Sequence, residues 1–453
     1  MEQLLIKEIA AALGLESRLT AQVDTIMLDS REVKPASLFI AIKGERFDAH
    51  DFVPQVLEKG AEAAVCESIP KGVSGEKILL VKDTRKALLD LAAYYRKKFN
   101  IPVVGLTGSV GKTTTKEMVA AVLAQRYKTV YTQGNLNNEI GLPKMCFKLD
   151  STTQAAVLEM GMNHFGEILR LSQTAKPTIG LITNIGVSHI ENLGSREGIL
   201  RAKLEILEGM ENAAPLILNG DDERLLKAAK ELNRKVLLFG TDNNSGFDLW
   251  AEDITQQDTS MSFTVCSKEF RQPVTLPAIG MHNVSNALAA FAVGTLLYIP
   301  PEQAAAALAA YVPSGMRQRV VKLEGLTVIE DCYNASPDSI EAALSALRDM
   351  PVKGRRIAVL GDMLELGSYA EREHLKCGVI ARNSGVDLLF AYGENAKYYV
   401  EGAGKGTLYN NKSELAASLL AELEQGDAVL FKASRGMKLE DIIKVIYEGW
   451  NKK

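Results

Sequence analysis

Several features are scarce in this sequence, and each shortage excludes a class of protein. Its five cysteines are scattered and form no Cys-x-x-Cys pair, which argues against a disulfide framework and a structural zinc site. The net charge is −4 and no basic stripe is present, so nucleic acid is not expected as a partner. The longest apolar run, Ala287 to Ile299, is too short to span a bilayer, so no membrane insertion is expected. These shortages predict a reduced, cytoplasmic protein.

What is present is a chain of ordinary globular composition. Its 453 residues suffice for two or three domains. Apolar residues at positions 4, 5, 9 and 13 predict an amphipathic helix within residues 1–19 rather than a signal peptide. Strands and helices alternate from residue 101 onward, and Pro313-Ser314-Gly315 marks a boundary after which the alternation restarts. We therefore predict an α/β protein with three domains, at residues 1–100, 101–313 and 314–453.

The alternation predicts mostly parallel sheets covered by helices on both faces. Predicted strands of the central domain lie at 101–106, 128–132, 155–160, 178–183, 215–218 and 235–239, with helices at 112–125, 196–209, 282–298 and 301–310. Alternating polar and apolar residues at 248–276 predict a small antiparallel piece. A Rossmann-like C-terminal domain is predicted from strands at 326–331, 356–360, 387–392 and 427–431, with helices at 337–348 and 413–424.

The most informative segment, Val103 to Thr115, predicts a buried strand, a glycine-rich turn and a helix that opens on Lys112. Such a turn gathers backbone N–H groups, a helix N-terminus and an ammonium around one point, which attracts a polyphosphate. The strict phosphate-loop pattern has glycine where Leu106 stands, and a glycine-rich turn without a ligand is the alternative. We predict ATP or GTP binding through Thr107, Gly108, Ser109, Val110, Gly111, Lys112, Thr113 and Thr114.

Polar residues at strand ends predict a magnesium site. Glu159 closes one predicted strand, and His189 follows another. Because the ends of parallel strands converge on one edge, these residues could share Mg²⁺ with the Thr113 hydroxyl, although imidazole suits this cation less than oxygen does. For each residue alone, a surface carboxylate or an ordinary loop histidine is the simpler interpretation.

Three further features are candidates for ligand contact. The amide-rich segment 132–143 is either a long polar turn or a substrate loop. Asn283 and Asn286 share one face of a helix, where they either cap that helix or offer an amide to adenine. Lys203 is either a solvent-facing lysine or, after reaction with CO₂, a carbamate that helps to hold the cation.

Strand ends of the third block carry E-D-C-Y-N-A-S-P-D-S at 330–339, G-D-M-L-E-L-G at 361–367 and K-A-S-R-G-M at 432–437. Arg317 and Arg319 follow the domain boundary, and a cation here could meet charge that develops on a transferred phosphoryl group. Ordinary helix capping, by Ser336 or Asp338, is the alternative for these turns.

Taken together, the motifs resemble the Mur ligases, a family of ATP-dependent amide-forming enzymes of peptidoglycan synthesis. In the central block the resemblance rests on T-G-S-V-G-K-T-T, N-L-N-N-E-I-G-L-P, E-M-G, T-N-I-G-V-S-H, the lysine at 203 and G-M-H-N-V-S-N. Residues 28–44 and 47–52 resemble the uridine-nucleotide domain of the family. The C-terminal motifs resemble those of the member that adds D-alanyl-D-alanine, with departures at Ala49, Ser336 and Ala433. The resemblance covers nearly the whole chain.

The resemblance implies a reaction. ATP would phosphorylate the terminal carboxylate of a UDP-N-acetylmuramoyl-tripeptide, and the amine of D-alanyl-D-alanine would attack the acyl phosphate to give an amide, ADP and phosphate. A carboxylate is a poor electrophile, whereas phosphate is a good leaving group, and the site must exclude water from the intermediate. The resemblance also implies two Mg²⁺ ions and a carbamylated Lys203, and we expect a monomer.

The resemblance assigns roles residue by residue. The implied catalytic residues are Lys112, Glu159, His189 and Lys203, and the implied metal ligands are Thr113, Glu159, His189 and Lys203. Besides the phosphate loop, the implied ATP-binding residues are Asn283, Asn286, Arg317 and Asp331. The implied substrate-binding residues are Ser30, Arg31, Asn135, Asn137, Asn138, Asn184, Tyr333, Asn334, Asp362, Glu365, Ser434 and Arg435.

Two alternatives stay open. One is a related ligase with another acceptor, such as a folate polyglutamate synthase or another Mur ligase, although the uridine-type N-terminal block argues against the folate enzyme. The other is a nucleotide-switch protein, which would hydrolyse ATP or GTP slowly without any amine acceptor. The sequence does not distinguish L-lysine from diaminopimelate at the end of the tripeptide.

Overall fold

The fold is taken from a computed structural model that describes residues 1–44, 47–241 and 246–451. Before residue 100 the strands are β1 (Leu4–Leu5), β2 (Gln22–Val23), β3 (Thr25–Met27), β4 (Ser37–Ile40), β5 (Ala63–Cys66) and β6 (Ile78–Leu80). The helices of this stretch are α1 (Ile6–Ala12), α2 (Val53–Glu58) and α3 (Thr84–Arg96).

Residues 101–313 carry the next group of elements. Their strands are β7 (Val103–Thr107), β8 (Thr129–Tyr131), β9 (Ala155–Glu159), β10 (Ile179–Ile182), β11 (Leu216–Asn219), β12 (Val236–Gly240), β13 (Leu249–Gln256), β14 (Met261–Cys266) and β15 (Arg271–Leu276). Their helices are α4 (Lys112–Leu123), α5 (Gly141–Cys146), α6 (Glu167–Ala175), α7 (Ile190–Leu193), α8 (Arg196–Leu204), α9 (Glu223–Glu231), α10 (Met281–Leu296) and α11 (Pro301–Ala309).

The rest of the chain again alternates strands with helices. The strands are β16 (Arg319–Leu323), β17 (Leu326–Asp331), β18 (Arg356–Gly361), β19 (Leu388–Tyr392), β20 (Thr407–Tyr409) and β21 (Ala428–Lys432). The helices are α12 (Pro337–Asp349), α13 (Ala370–Asn383), α14 (Lys397–Ala403), α15 (Lys412–Glu422) and α16 (Glu440–Trp450).

By its internal contacts the chain divides into two compact units. The first comprises residues 1–107, 126–181 and 204–215, and the second comprises residues 108–125, 182–203 and the chain from 216 onward. Each unit is α/β with parallel strands, which confirms the predicted fold class. The three-domain boundaries at residues 100 and 313 stay a prediction.

In the first unit, β3 to β6 form a parallel sheet in chain order, and β9 lies between β7 and β8, parallel to both. Helix α3 packs on α5 and α6. Two of its side chains fasten it: the Tyr95 hydroxyl donates to the Leu149 oxygen (2.6 Å), and the Arg96 Nε donates to the Ala175 oxygen (3.0 Å). Both side chains are buried, so α3 is anchored by satisfied polar groups as well as by apolar packing.

In the second unit, β11, β12 and β13 are parallel, and β13, β14 and β15 are antiparallel, as the alternation at 248–276 predicts. Helix α10 packs against α4, which follows the glycine-rich turn. The C-terminal sheet has the order β16-β17-β21-β18-β19-β20, and only β16 runs antiparallel. One apolar layer packs α12 and α13 on this sheet, and another packs α15 and α16, so both faces are covered.

Two predicted helices have the wrong extent. The helix predicted within residues 1–19 is limited to α1, because Leu4 and Leu5 pair with β2 and because the Leu15 N–H closes onto the Ala10 oxygen (2.8 Å) after Gly14. The helix predicted for 196–209 is α-helical only to Leu204 and continues as a 3₁₀ turn to Gly209. Within the described ranges, no helix has both the length and the apolar character that a membrane crossing needs.

Candidate active site

The phosphate loop, residues 107–113, joins the fully buried strand β7 to helix α4. Gly111 precedes α4 with a φ of 81°, in the left-handed region that glycine enters without strain. A Cβ on Gly111 would lie 2.7 Å from the Asn286 Oδ1, and a Cβ on Gly108 would lie 1.9 Å from the Thr183 Oγ1. Side chains at these two positions would collide with their neighbours, so the glycines specify the turn.

Asn184 holds the phosphate loop in shape. Its backbone oxygen accepts from the Ser109 N–H (3.1 Å), and its Oδ1 accepts from the Val110 N–H (3.0 Å). Its Nδ2 and the Thr183 hydroxyl both donate to the Val110 oxygen, at 3.1 and 2.8 Å. These contacts make Asn184 a support of the loop, which sequence reasoning had grouped with the substrate-binding residues.

Two lysines, Lys112 and Lys203, are close enough for their charges to interact. The Lys112 Nζ donates to the backbone oxygens of Gly108 (2.8 Å) and Ser109 (3.2 Å). Lys203, from α8, is only 2% exposed, so the solvent-facing alternative for this residue is wrong. Burial and the nearby charge of Lys112 hold the pKa of Lys203 well below its ordinary value.

Glu159, in the first unit, ends β9 and is buried. Its N–H donates to the Thr132 hydroxyl (2.9 Å), and the Asn137 Nδ2 donates to its Oε1 (2.8 Å). The Gly161 N–H donates to the Asn137 oxygen (2.8 Å). The amide-rich segment 132–143 is therefore tied to the end of β9, and Glu159 is not the surface carboxylate of the simpler interpretation.

His189 is half-buried and opens α7 with a φ of 61°. Just before it, the Gly186 N–H donates to the Ser109 Oγ and the Val187 N–H donates to the Asp338 Oδ2, both at 2.8 Å. The turn is thus held by the phosphate loop on one side and by the first turn of α12 on the other. Sequence reasoning considered Asp338 only as a helix cap, because nothing local pairs it with Val187.

Asn283 and Asn286 are buried in the first turns of α10, 3% and 5% exposed. The Asn283 Nδ2 donates to the Gln318 Oε1 (2.8 Å), and the Asn286 Nδ2 donates to the Asn283 Oδ1 (3.2 Å). The Asn286 Oδ1 accepts from the Thr115 hydroxyl (3.0 Å). The cap position of α10 is Gly280, so the capping alternative for the two asparagines is wrong.

The structure separates the two arginines that follow the predicted boundary. The Arg317 guanidinium lies over the Tyr333 ring, 3.8 Å from its centroid. Arg319 lies in β16, and its Nη1 forms an ion pair with the buried Glu330 (3.5 Å). Because Glu330 engages Arg319, Arg317 is the better candidate for a cation that meets the nucleotide.

An ion pair joins two strand ends of the C-terminal sheet. The Lys432 Nζ, at the end of β21, lies 2.8 Å from the Asp331 Oδ2, at the end of β17. Lys432 is 2% exposed and also donates to the Asn334 oxygen (3.0 Å). Lys432 opens the K-A-S-R-G-M motif, and its position opposite Asp331 follows from the parallel register of β17 and β21.

Asp362 follows β18 and is buried. Its Oδ2 accepts from the Asn395 N–H (3.2 Å), and its backbone oxygen accepts from the Ser434 N–H (3.1 Å). The next residue, Met363, donates its N–H to the Nε2 of the fully buried His374 (3.0 Å). Burial lowers the pKa of His374, which keeps this nitrogen available as an acceptor.

Other residues named from the sequence lie at the surface. Arg31 bonds through its Nε (2.9 Å) to Asp29, which holds the pKa of that carboxyl well below its usual range, and the Lys59 Nζ donates to the Ser30 oxygen (3.1 Å). Five more of the residues predicted to bind substrate are exposed: Asn135, Asn138, Asn334, Glu365 and Arg435.

A cavity of about 610 Å³ lies within the first unit. Its lining includes Met1, Asp24, Thr25, Ile26, Met27, Leu28, Glu32, Thr129, Val130, Tyr131, Gln133, Lys144, Met145, Phe147 and Lys148. Apolar, acidic and basic side chains all line it, which suits a ligand with both a flat apolar part and charged groups.

Comparison with known protein families gives three matches in chain order. The Mur ligase family catalytic domain matches residues 22–96, the Mur ligase middle domain matches 106–294, and the Mur ligase glutamate ligase domain matches 316–435. Among curated proteins, a UDP-N-acetylmuramoyl-tripeptide--D-alanyl-D-alanine ligase of Bacillus subtilis is 42% identical, over 93% of each chain. The chain belongs to the Mur ligase family. The Escherichia coli ligase of the same name is 36% identical over 94% of each chain.

Solved structures of Mur ligases agree with this fold. A crystal structure of MurF from Acinetobacter baumannii superposes with a TM-score of 0.91, at 33% identity and 99% coverage of both chains. MurF from Thermotoga maritima in complex with ADP gives a TM-score of 0.87 at 30% identity, covering 94% of this chain and 98% of that one. Escherichia coli FolC, at 17% identity and a TM-score of 0.62, shares the fold alone.

Proposed function

We propose that this Mur ligase joins D-alanyl-D-alanine to UDP-N-acetylmuramoyl-tripeptide at the expense of ATP. The observation that carries the proposal is the 42% identity to such a ligase over 93% of both chains, together with an intact phosphate loop. The γ-phosphoryl group passes to the terminal carboxylate of the tripeptide. The dipeptide amine then attacks the acyl carbon, and phosphate leaves as the amide forms and the amine loses its proton.

The phosphate loop would bind the nucleotide through the start of α4, whose N–H groups and helix dipole favour an anion. Lys112 is held at the loop by two backbone oxygens, and it would exchange them for β- and γ-phosphate oxygens. A cation at this point offsets the charge of two anions, the phosphate and the carboxylate, that must approach each other. Arg317 and Asp331 would reach the nucleotide from the C-terminal block, and Asn283 and Asn286 would line it.

The chemistry of the proposed ligands, taken residue by residue, suits Mg²⁺. Glu159 supplies a buried carboxylate whose orientation is fixed by Asn137, and Thr113 supplies a hydroxyl, which are the oxygen ligands that Mg²⁺ prefers. When bound, Mg²⁺ would neutralise phosphate charge. His189 and Lys203 would help to hold a second ion. A buried ammonium at position 203 is costly, and addition of its neutral amine to CO₂, with loss of one proton from the nitrogen to solvent, would give a carbamate anion instead.

Substrate roles divide between the two units. We assign Ser30, Arg31 and the cavity of the first unit to the UDP-N-acetylmuramoyl end, because its lining combines Tyr131 and Phe147 with Lys144 and Lys148. The dipeptide side would be formed around the β18 and β21 ends, with Asp362 shaping the loop. Glu365 is proposed on the same dipeptide side. The other proposed substrate-binding residues, with no side assigned, are Asn135, Asn137, Asn138, Asn184, Tyr333, Asn334, Ser434 and Arg435. We propose that the enzyme is monomeric and acts in the cytoplasm.

Phosphate release tests the proposed function. The purified chain is incubated with ATP, Mg²⁺ and UDP-muramoyl-tripeptide, with and without D-alanyl-D-alanine. Release that needs both substrates, together with formation of the pentapeptide, supports the ligase. Release that ignores both substrates would identify a nucleotide switch and end the proposal. Parallel donors ending in L-lysine and in diaminopimelate show which tripeptide is used.

The carbamate has its own measurement. Isotopically labelled bicarbonate should give a carbamate carbon signal in the parent protein and none in Lys203→Arg. Glu159→Gln should raise the Mg²⁺ concentration needed for half-maximal turnover, because it weakens an oxygen ligand. A parent protein without a carbamate signal would remove that assignment while leaving the ligase assignment intact.

A further inference from the structure

Gln318 has an unusual backbone for a residue with a long side chain. Its φ is 51°, in the left-handed region, and it is only 8% exposed. A residue other than glycine persists in this region only where its surroundings fix it. Gln318 lies between Arg317 and the first residue of β16, in the linker that precedes the C-terminal sheet.

The side chain of Gln318 explains why this backbone is held. Its Oε1 accepts from the His282 Nε2 (2.6 Å) and from the Asn283 Nδ2 (2.8 Å), both at the start of α10. The Asn283 Nδ2 also donates to the Ile279 oxygen (2.8 Å), which identifies it as the amide nitrogen. An oxygen must therefore face it, so the orientation of the Gln318 amide follows from the network.

The same network continues to the phosphate loop. The Asn283 Oδ1 accepts from the Asn286 Nδ2, and the Asn286 Oδ1 accepts from the Thr115 hydroxyl of α4. That Asn286 oxygen also stands 2.7 Å from the point where a Cβ on Gly111 would lie. An unbroken chain of side-chain hydrogen bonds thus runs from the first turn of α4 to Gln318.

The residue before Gln318 is Arg317, and it is restrained from its other side. Its guanidinium stacks on the Tyr333 ring, and the Tyr333 N–H donates to the Met316 oxygen (3.1 Å). Stacking fixes the plane of the guanidinium but leaves the side chain able to slide over the ring. The position of the Arg317 backbone relative to α10 depends on Gln318.

We propose that Gln318 is a positioning residue for the nucleotide. Through the hydrogen bonds that run by way of Asn283 and Asn286 to Thr115, it fixes where Arg317 lies relative to the start of α4. The inference rests on the proposed function, in which Arg317 reaches the nucleotide. Gln318 itself touches none of the reacting atoms. Its contribution is to place a cation, and a small misplacement of such a group costs a large factor in rate.

A double-mutant cycle tests the proposal. Gln318→Met keeps the side-chain length and removes the acceptor for both donors. We expect kcat/KM for ATP to fall by about 10- to 100-fold, while KM values for the tripeptide and the dipeptide stay the same. Gln318→Glu keeps an oxygen for His282 and Asn283 and should recover most of the loss. Gln303→Met, at an exposed position of α11, is the matched control and should behave as the parent.

Arg317→Ala separates a positioning role from a general packing role. In the Arg317→Ala background, Gln318→Met should cause almost no further loss in kcat/KM for ATP, because the group that it places is absent. The inference would be overturned if the two losses in kcat/KM for ATP multiplied in the double variant, or if Gln318→Met alone left kcat/KM for ATP unchanged. If the parent protein shows no ligation at all, the proposed function fails instead, and the two failures are distinct.

Discussion

Two turns that follow parallel strands are held in shape by different means. After β7, the phosphate loop has glycines at 108 and 111, and the side chains of Thr183 and Asn286 occupy the space that a Cβ would need. After β18, the Met363 N–H donates to the buried His374 Nε2, the Asp362 backbone oxygen accepts from the Ser434 N–H, and the Asp362 carboxylate accepts from the Asn395 N–H. The first turn needs positions without side chains, and Thr183 and Asn184 then bond to its backbone, whereas the second is held by a buried histidine.

The two turns differ in what they contribute: the first to binding and turnover, the second to stability. A turn made of glycines lets an anion approach the backbone, so its chemistry depends on one added cation, Lys112. A turn whose groups are bonded to buried polar groups is rigid. Its conformation depends on the imidazole and carboxylate groups that hold it, so replacing either group should be destabilising. Replacing Lys112 in the first turn should therefore reduce turnover and leave the free energy of unfolding unchanged, whereas replacing buried polar groups of the C-terminal sheet and its turns should lower the free energy of unfolding.

The largest effect should come from Lys112→Ala. Loss of the cation at the phosphate loop should lower kcat by at least about 10²-fold, with an unchanged circular dichroism spectrum and melting temperature. Phosphate release in the presence of both substrates measures the loss. Lys227→Ala, on α9, is the matched surface control. Full turnover in the Lys112 variant would remove this residue from the mechanism.

Breaking the buried pair of the C-terminal sheet tests the other half of the comparison. Lys432→Met leaves the Asp331 carboxylate without its partner at 2.8 Å, and we expect the free energy of unfolding to fall by about 3–5 kcal/mol. Lys412→Met breaks the ion pair with Asp441 (2.7 Å), in which the carboxylate is mostly exposed, and should cost less than about 1 kcal/mol. Urea unfolding measures both. Equal losses would show that burial does not govern these pairs.

His374 should make stability depend on pH. Burial lowers its pKa, so below about pH 6.5 the unfolded chain takes up a proton that the native imidazole resists. Native stability should therefore fall as pH decreases through this range, even though Asp362 (3.9 Å) and Glu373 partly offset the effect of burial. His374→Phe loses the acceptor for Met363, about 1–2 kcal/mol at neutral pH, but its deficit should shrink in acid. Urea unfolding at several pH values measures the gap, and a constant gap would contradict the assignment.

Much of the fold was predictable, because local patterns carry it. The parallel strands follow from apolar runs such as β9 and β21, and the phosphate loop follows from glycine spacing and Lys112. The candidate site stays a prediction: the sequence proposes it as a set of residue types at strand ends, because the ends of parallel strands converge. What failed was the extent of α1, because a two-residue strand pairing competes with its apolar periodicity.

The partners of site residues were not predictable, because each one is distant in the chain. Asn184 supports the phosphate loop through two backbone N–H groups, and no local signal distinguishes this from a substrate contact. Gln318 adopts a left-handed backbone that its residue type disfavours, so only the network around it reveals the conformation. Long-range hydrogen bonds decide these positions, and a single sequence does not encode them in any spacing.

The smallest effect concerns the turn that precedes His189, which is bonded to the phosphate loop on one side and to the first turn of α12 on the other. The Asp338 Oδ2 accepts from the Val187 N–H, and a Cβ on Gly186 would lie 2.2 Å from that same oxygen. Asp338→Ala removes one hydrogen bond to a partly buried N–H, and we expect a loss of about 1 kcal/mol in the free energy of unfolding. Gly186→Ala should also destabilise, because its methyl group displaces the carboxylate.

The two changes should not add. Once Asp338 is alanine, the methyl group at position 186 meets no oxygen, so the double variant should lose less than the sum of the single losses. Urea unfolding of the four proteins gives the coupling energy, with Asp349→Ala at the other end of α12 as the control. Strict additivity would mean that the Gly186 methyl group is accommodated elsewhere and that Asp338 does not set the path of this turn. A double variant that loses less than the sum of the single losses would show that α12 shapes the turn before His189 through a single carboxylate oxygen of Asp338.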